Sequence, residues 1–93
     1  MATTGTAVLD FGATAARDAR LTVTGQSAIT AGSYVEAFIF PNTATADHSV
    51  DEQFIEAIDV RAGNIVAGAG FDIYGFAEIG TTYGKFNIGW VYT

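Results

Sequence analysis

The 93-residue sequence contains no cysteine, a single proline, a single histidine and only four Lys or Arg residues. Without cysteine, neither a disulfide framework nor a thiolate metal site can stabilise the fold, so stability must come from packing or assembly. Ten acidic residues oppose the four basic ones, and the net charge of −6 disfavours binding to the phosphates of nucleic acids or lipids. No apolar run approaches the ~18 residues that a membrane helix needs. We therefore expect no nucleic acid and no membrane among the partners.

Apolar residues, in contrast, are abundant, and they make up 49% of a chain whose length supports one domain. A single small core cannot hide this many, so apolar surface remains for a neighbouring subunit and we expect a homo-oligomer. The first six residues contain neither the basic nor the apolar region of a secretion signal, so we expect synthesis in the cytosol without a signal.

Apolar and polar residues alternate with a period of two in six short stretches, which is typical of β-strands. The predicted strands cover residues 7–11, 19–24, 33–40, 54–60, 71–78 and 85–93. A further edge segment or bulge is predicted at 65–67, after a turn at 61–64. Together they predict a single β domain over residues 7–93, an all-β fold with the form of a small antiparallel β-sandwich. A small closed β-barrel is the alternative.

Three segments are predicted to lie outside the strands. Residues 1–6 are small and rich in Thr and Gly, so we expect a flexible N-terminal arm. Residues 42–52 form the longest polar segment and predict a surface loop, in which the capping box of Ser49 and Glu52 starts a single helical turn. Residues 80–84 predict a hairpin connection to the last strand.

The single histidine, His48, lies among the acidic residues Asp47, Asp51 and Glu52. Carboxylates in a loop suit Ca²⁺, and an imidazole beside them suits a transition metal, but the spacing matches neither an EF-hand nor a zinc motif. We therefore expect a solvated acidic loop, no metal and no other cofactor. Nucleophilic catalysis is also not indicated, because His48 and Ser49 are adjacent and no Gly-x-Ser-x-Gly motif exists. We expect that the protein is not an enzyme.

Aromatic residues recur at strand spacing and are the candidates for a subunit interface: Tyr34, Phe38, Phe40, Tyr74, Phe76, Trp90 and Tyr92. Such residues form cores or interfaces, and the alternative is a set of exposed rings that stack on sugars. The last strand places Trp90 and Tyr92 on one face, so we expect Trp90 to be a packing residue in the middle of a sheet or at an interface.

The sequence also resembles a known family over roughly residues 7 to 92. The likeness lies in the blocks VTGQ (23–26), SYVEAF (33–38), TADHSVDE (45–52), IVAGAGFDIY (65–74) and YGKFNIGWVY (83–92). They are similar to blocks in a family of small proteins encoded by tailed bacteriophages and prophages. Members typically carry Trp at the position of Phe38, His at that of Gln53 and a Trp near Tyr92, so this chain departs from the family at three places. The absent histidine at Gln53 argues against a family-wide metal site in this chain.

The resemblance implies a bacteriophage origin and a role as a structural protein of the virion. The expected function is that of a capsid decoration or cement protein, or of a small tail-associated subunit. Its expected partners are other virion proteins, either the major capsid protein or tail subunits, with assembly in the host cytoplasm and final location in the virion. Residues 1–6 would then lie against another virion subunit. The alternative function is a glycan-binding or host-attachment module of a tail fibre.

Overall fold

A computed structural model describes residues 2–93, which form six strands and one short helix. In chain order the elements are β1 (Thr3–Asp10), β2 (Asp18–Val23), β3 (Val35–Ile39), α1 (Val50–Ile55), β4 (Ile58–Val66), β5 (Gly70–Ala77) and β6 (Lys85–Tyr92). They build two antiparallel sheets: sheet 1 has the order β1-β6-β3, and sheet 2 the order β2-β5-β4. Within residues 2–93 the sheets do not close into a barrel, so the predicted small all-β sandwich is confirmed. No helix in this part of the chain is long and apolar enough to cross a bilayer.

The core lies between the two central strands, β6 and β5. Every second residue of β6 points inward, and all four of these side chains are buried: Phe86, Ile88, Trp90 and Tyr92. Phe71 and Ile73 of β5 meet them from the other sheet, and the Phe71 ring packs edge-to-face on Trp90 with 5.4 Å between ring centroids. The prediction that the aromatic last strand lies in the middle of a sheet is confirmed.

The N-terminal segment is a strand and not the flexible arm predicted over residues 1–6. Thr3 to Thr6 belong to β1 and pair antiparallel with the end of β6. Gly5 makes this pairing possible, because a Cβ at this position would overlap the Trp90 indole. The prediction is therefore wrong for Thr3 to Thr6, because this segment pairs with β6 of the same domain. Met1 lies outside the described residues.

The segment predicted as a strand over residues 54–60 is divided between two elements. The predicted capping box is present: Ser49 Oγ accepts from the Glu52 N–H, and Glu52 Oε1 accepts from the Ser49 N–H, both at 3.2 Å. This cap favours helical geometry in the residues that follow. Phe54 and Ile55 therefore lie on or at the end of a helical turn and are exposed to solvent, and β4 begins only after them.

β4 runs through the turn predicted at residues 61–64. Residues 61–63 pair with β5, and the register shifts between Gly63 and Val66, where Asn64 adopts a φ of 51°. The predicted turn and the predicted edge segment at 65–67 are thus parts of one bulged strand, in which the left-handed Asn64 supplies the bend.

The connection between β5 and β6 crosses from sheet 2 to sheet 1. The hairpin predicted at residues 80–84 is wrong, because a hairpin would leave these two strands side by side in one sheet. The backbones of Ala16 and Thr82 exchange hydrogen bonds of 2.7 and 2.9 Å, which tie this connection to the residues before β2. The crossing lets the two most apolar strands face each other across the core.

Candidate interaction surfaces

The structure divides the seven aromatic interface candidates among three places. Trp90 and Tyr92 lie in the core. Three exposed residues belong to sheet 1 or its edge: Tyr34, Phe38 and Phe40. Tyr74 and the half-buried Phe76 lie on the outer side of sheet 2. The candidates therefore form two separate surfaces and not one.

Trp90 and Tyr92 are core residues, so their prediction as interface residues is wrong. Their rings stack in parallel with centroids 5.9 Å apart, and Phe71 packs against both. The Tyr92 hydroxyl donates a hydrogen bond to Gln26 Oε1 at 3.2 Å. The inward face of β6 leaves no room for them at the surface, and the prediction that Trp90 is a packing residue is confirmed.

The outer side of sheet 1 carries an uncharged groove, here called the aromatic face: Thr4, Thr6, Phe38, Phe40 and Gly89. Phe38 stands opposite Gly89 in the ladder, and its ring lies so close that a Cβ at Gly89 would come within 2.5 Å of it. Phe38 and Phe40 pack edge-to-face with centroids 6.4 Å apart, yet each ring is more than 40% exposed. The two threonines of β1 form the other wall of a cavity of about 190 Å³.

The outer side of sheet 2 gathers all three arginines of the chain, and we call it the arginine face: Arg17, Arg20, Arg61, Tyr74 and Phe76. In the strand register Tyr74 stands between Arg20 on β2 and Arg61 on β4. Arg61 Nη2 pairs with Asp59 Oδ2 at 3.1 Å. Beside Tyr74, the segment from Arg17 to Arg20 borders a cavity of about 430 Å³. In the same register Phe76 stands between Asp18 on β2 and Asp59 on β4, so this face presents charges of both signs around its aromatic rings.

Asp72 is the best-satisfied polar side chain on this side of sheet 2. Its carboxylate accepts hydrogen bonds from Asn64 Nδ2 and Thr22 Oγ1, both at 2.7 Å, and a longer one of 3.4 Å from the Tyr74 hydroxyl. These donors, Asn64 first and then Thr22, lower the pKa of Asp72 below its ordinary value. The group ties β2 and the β4 bulge to β5, and the sequence does not reveal it because Thr22 lies 50 residues from Asp72 and Asn64 falls in the predicted turn.

We expect Asp72→Asn to reduce the free energy of unfolding at pH 7 by about 2 kcal/mol, the contribution of hydrogen bonds to a charged acceptor. Because the folded-state pKa lies below the unfolded one, the stabilisation is present above the unfolded value near pH 4 and is lost as the pH falls through the folded value. The variant should therefore lose stability less steeply than the wild type below pH 4. Urea unfolding between pH 2 and 7 measures both effects.

Glu36→Gln provides the matched control for Asp72, since Glu36 is exposed on β3 and accepts no side-chain hydrogen bond from the described residues. This variant should unfold like the wild type at every pH. Equal pH dependence in Asp72→Asn and wild type would show that the hydrogen bonds to Asp72 do not stabilise the fold.

The loop before α1 shields the edge of β6 beyond the end of β3. Thr45 Oγ1 donates to the Lys85 carbonyl and Asp47 Oδ2 accepts from the Lys85 N–H, each at 2.9 Å. From α1, the buried Gln53 accepts from the Asn87 N–H at 2.8 Å. Side chains therefore take the place of a neighbouring strand, and the loop is not the freely solvated segment that its composition predicts.

His48 is buried within this loop. Its Nε2–H donates to the Tyr83 carbonyl at 2.6 Å, and the imidazole stacks on the Phe86 ring with centroids 4.4 Å apart. Nδ1 lies 3.6 Å from Glu52 Oε2, the carboxylate whose pKa is lowered chiefly by the hydrogen bond from the Ser49 backbone. Within residues 2–93 no three His, Cys, Asp or Glu side chains are grouped closely enough to hold a metal ion. His48 thus joins the loop to the core.

The two exposed faces are the surfaces on which a function can be built. The chain matches no protein-family model, no curated protein and no solved structure with which it was compared.

Proposed function

We propose that this protein is a non-enzymatic structural subunit of a tailed-phage virion, a capsid decoration or cement protein or a small tail-associated subunit. It binds other virion proteins through the aromatic face. The observation that carries the proposal is the pair Phe38 and Phe40, whose rings remain more than 40% exposed beside an uncharged groove. Large apolar side chains that a small domain leaves uncovered mark the place where a partner binds.

The chemistry of the aromatic face suits another protein. The groove is lined by threonine, glycine and aromatic side chains without a charged residue, so an apolar side chain can enter it without desolvating an ion. Covering the exposed part of each phenyl ring contributes about 1 kcal/mol, since full burial of such a side chain contributes ~1.5–3 kcal/mol. Weak contacts of this kind are sufficient to hold the protein on a particle built from repeated subunits, because every copy makes the same contacts with its neighbours.

The family resemblance supports a virion protein as the partner of the aromatic face. The block SYVEAF (33–38), which carries the likeness to small tailed-phage proteins, ends at Phe38. The family commonly has Trp there, so an aromatic residue is present at this position in both cases. A partner surface that accepts an aromatic ring is therefore expected for this chain as well.

The effect of removing both rings tests the proposal. In the phage that encodes the protein, Phe38→Ala/Phe40→Ala should reduce the number of copies per purified particle at least tenfold, because a loss of about 2 kcal/mol weakens each contact roughly 30-fold. Quantitative mass spectrometry of purified particles measures the copy number. Val66→Ala, which truncates an exposed apolar residue of sheet 2, is the control and should leave it unchanged.

A wild-type copy number in the double variant would overturn the aromatic face as the binding surface, and complete absence of the wild-type protein from particles would overturn the virion role.

One observation favours the alternative, a glycan-binding or host-attachment module: Tyr34 is 82% exposed just before β3 and is available for stacking on a sugar. In that case the purified protein binds host cells, and Tyr34→Ala abolishes this binding.

A further inference from the structure

We propose that a second copy of this chain pairs with the free edge of β1, so that two copies form a dimer with one continuous six-stranded sheet. In this dimer β1 runs antiparallel to β1 of the other copy about a twofold axis. Only copies of this chain take part, so the dimer is independent of the proposed virion function.

β1 is an outer strand of sheet 1, and one side of its backbone has no neighbouring strand. The Asn87 carbonyl on β6 accepts from the Phe40 N–H on the β3 side, so Val8, which stands opposite Asn87, turns its own N–H and C=O away from β6. By alternation the backbone groups of Thr4 and Thr6 point the same way. Thr4, Thr6 and Val8 are all exposed, and within residues 2–93 no other strand or side chain bonds to this edge.

The other three edge strands carry features that discourage pairing, whereas β1 carries none. Asp18 begins β2, Glu36 lies in β3, and β4 contains Asp59 and a bulge. From Thr3 to Leu9, β1 has no charged residue, no proline and no bulge. Such an edge is a template on which another strand can add.

Charge and symmetry select a second copy as the strand that pairs here. Molecules with a net charge of −6 repel each other, and two copies approach with the least repulsion where neither presents a charge. Among residues 2–93, β1 is the only edge strand without a charged residue before its last position. An antiparallel pair of identical strands is also self-complementary about a twofold axis, so β1 supplies both halves of the contact.

The residues of β1 fit an axis at Thr6. In this register Thr6 stands opposite Thr6 of the other copy and Thr4 opposite Val8, so all three outward residues exchange backbone hydrogen bonds. Thr and Val suit strands, and Thr opposite Thr is a favourable cross-strand pair. Asp10, the one charged residue of β1, then lies roughly 27 Å from Asp10 of the other copy at ~3.4 Å per residue, so the two carboxylates do not repel strongly.

The side chains near the axis also permit a close approach. On the inner side Gly5 of one copy stands opposite Ala7 of the other, and both are too small to hold the strands apart. On the outer side Val8 is 46% exposed and gains a neighbour in Thr4 of the other copy. The contact thus covers apolar surface that the single domain leaves exposed.

Opposite charges at Thr6 test the contact. The wild type should sediment as a dimer, and Thr6→Glu and Thr6→Lys should each weaken dimerisation by about tenfold or more, because each places two like charges opposite one another at the axis. An equimolar mixture of the two variants should form a heterodimer, since a carboxylate then faces an ammonium group. Thr43→Glu makes the same change in the exposed loop on the β3 side of sheet 1 and should leave the dimer intact.

Hydrogen exchange identifies the edge without any substitution. In the dimer the amide protons of Thr4, Thr6 and Val8 should exchange about tenfold or more slowly than in dilute, monomeric protein, because they become bonded to the other copy. The Ala37 amide, which points away from β6 at the edge of β3, is the control and should exchange equally in both samples. Exchange followed by NMR at two protein concentrations measures this.

Circular dichroism verifies that each variant is folded, and the exchange measurement decides alone if one is not. A monomeric wild type at millimolar concentration, or a mixture that fails to restore the dimer, overturns the proposal. A dimer whose Thr6 amide exchanges as fast as in the monomer overturns it too, because another surface then joins the copies. Phe38→Ala/Phe40→Ala should still dimerise, so failure of the virion assignment and failure of this contact are told apart.

Discussion

Replacing Gly70 with alanine should strongly destabilise the fold, with a loss of about 4 kcal/mol or more in the free energy of unfolding. A Cβ on Gly70 would overlap the carbonyl oxygen of Val23, the last residue of β2. Because the obstacle is backbone, relief requires β2 and β5 to separate at the point where their pairing begins. For a domain of this size the loss corresponds to a fall in melting temperature of roughly 15–30 °C, which thermal unfolding followed by circular dichroism measures.

Gly63→Ala is the matched control, since Gly63 is also a strand glycine but has open space where its Cβ would be. Its free energy of unfolding should change by less than ~1 kcal/mol, because alanine also reduces the entropy of the unfolded chain. If both variants melt within a few degrees of the wild type, β2 does not approach Gly70 as closely as described.

Trp90→Ala should cost about 3–5 kcal/mol of the free energy of unfolding, the usual range for removing a buried tryptophan. The variant loses the contacts with Phe71 and Tyr92 and leaves a cavity against Gly5. The surrounding strands cannot close this space without breaking the pairing of β1 with β6. Denaturant unfolding should show a lower midpoint with an unchanged slope if the variant still folds in two states.

Tyr34→Ala serves as the comparison for Trp90→Ala, because the Tyr34 side chain is 82% exposed and its removal should change the midpoint little. A Trp90→Ala variant of wild-type stability that no longer binds sugars would instead support the glycan-binding alternative.

The parts of the fold that could be predicted are those in which the local pattern and the tertiary contacts agree. The alternation from Phe86 to Tyr92 predicts one fully apolar face, and this face is buried in the central strand of sheet 1. On β5 the inward positions of Phe71 and Ile73 are likewise those that the alternation predicts. In a strand with a period of two, the only open question is which face points into the core. The face with the larger apolar side chains is the one that is buried.

Prediction failed where a segment satisfies two periods or depends on a distant partner. Phe54 and the following apolar residues fit both a strand and a helix, and the Ser49 cap decides in favour of a helical start. Thr3 to Thr6 have no large apolar side chain, so nothing local indicates that this segment pairs with β6. Neither outcome can be derived from propensity alone, because both depend on contacts that only the complete fold supplies.

The arginine face shows the same limit for function. Arg20 lies in the strand predicted at residues 19–24, but Arg61 falls in the turn predicted at 61–64, and nothing in the sequence places Tyr74 between them. The antiparallel register of three strands does so, although these residues are separated by more than ten positions in the chain. Sequence reasoning therefore found the aromatic residues of the candidate surfaces but not the charges that accompany them on sheet 2.

The side chains that cover the end of β6 also protect the molecule against uncontrolled growth of its sheets. An uncovered strand edge is a template on which another chain can add, and a protein present at high local concentration is especially exposed to that hazard. At Lys85 and Asn87 the free edge is already occupied by Asp47 and Gln53. Asp47 and Gln53 thus fill the edge positions of β6 that β3 does not reach. Because the N–H groups of Lys85 and Asn87 are already bonded, a strand from another molecule cannot pair with them there.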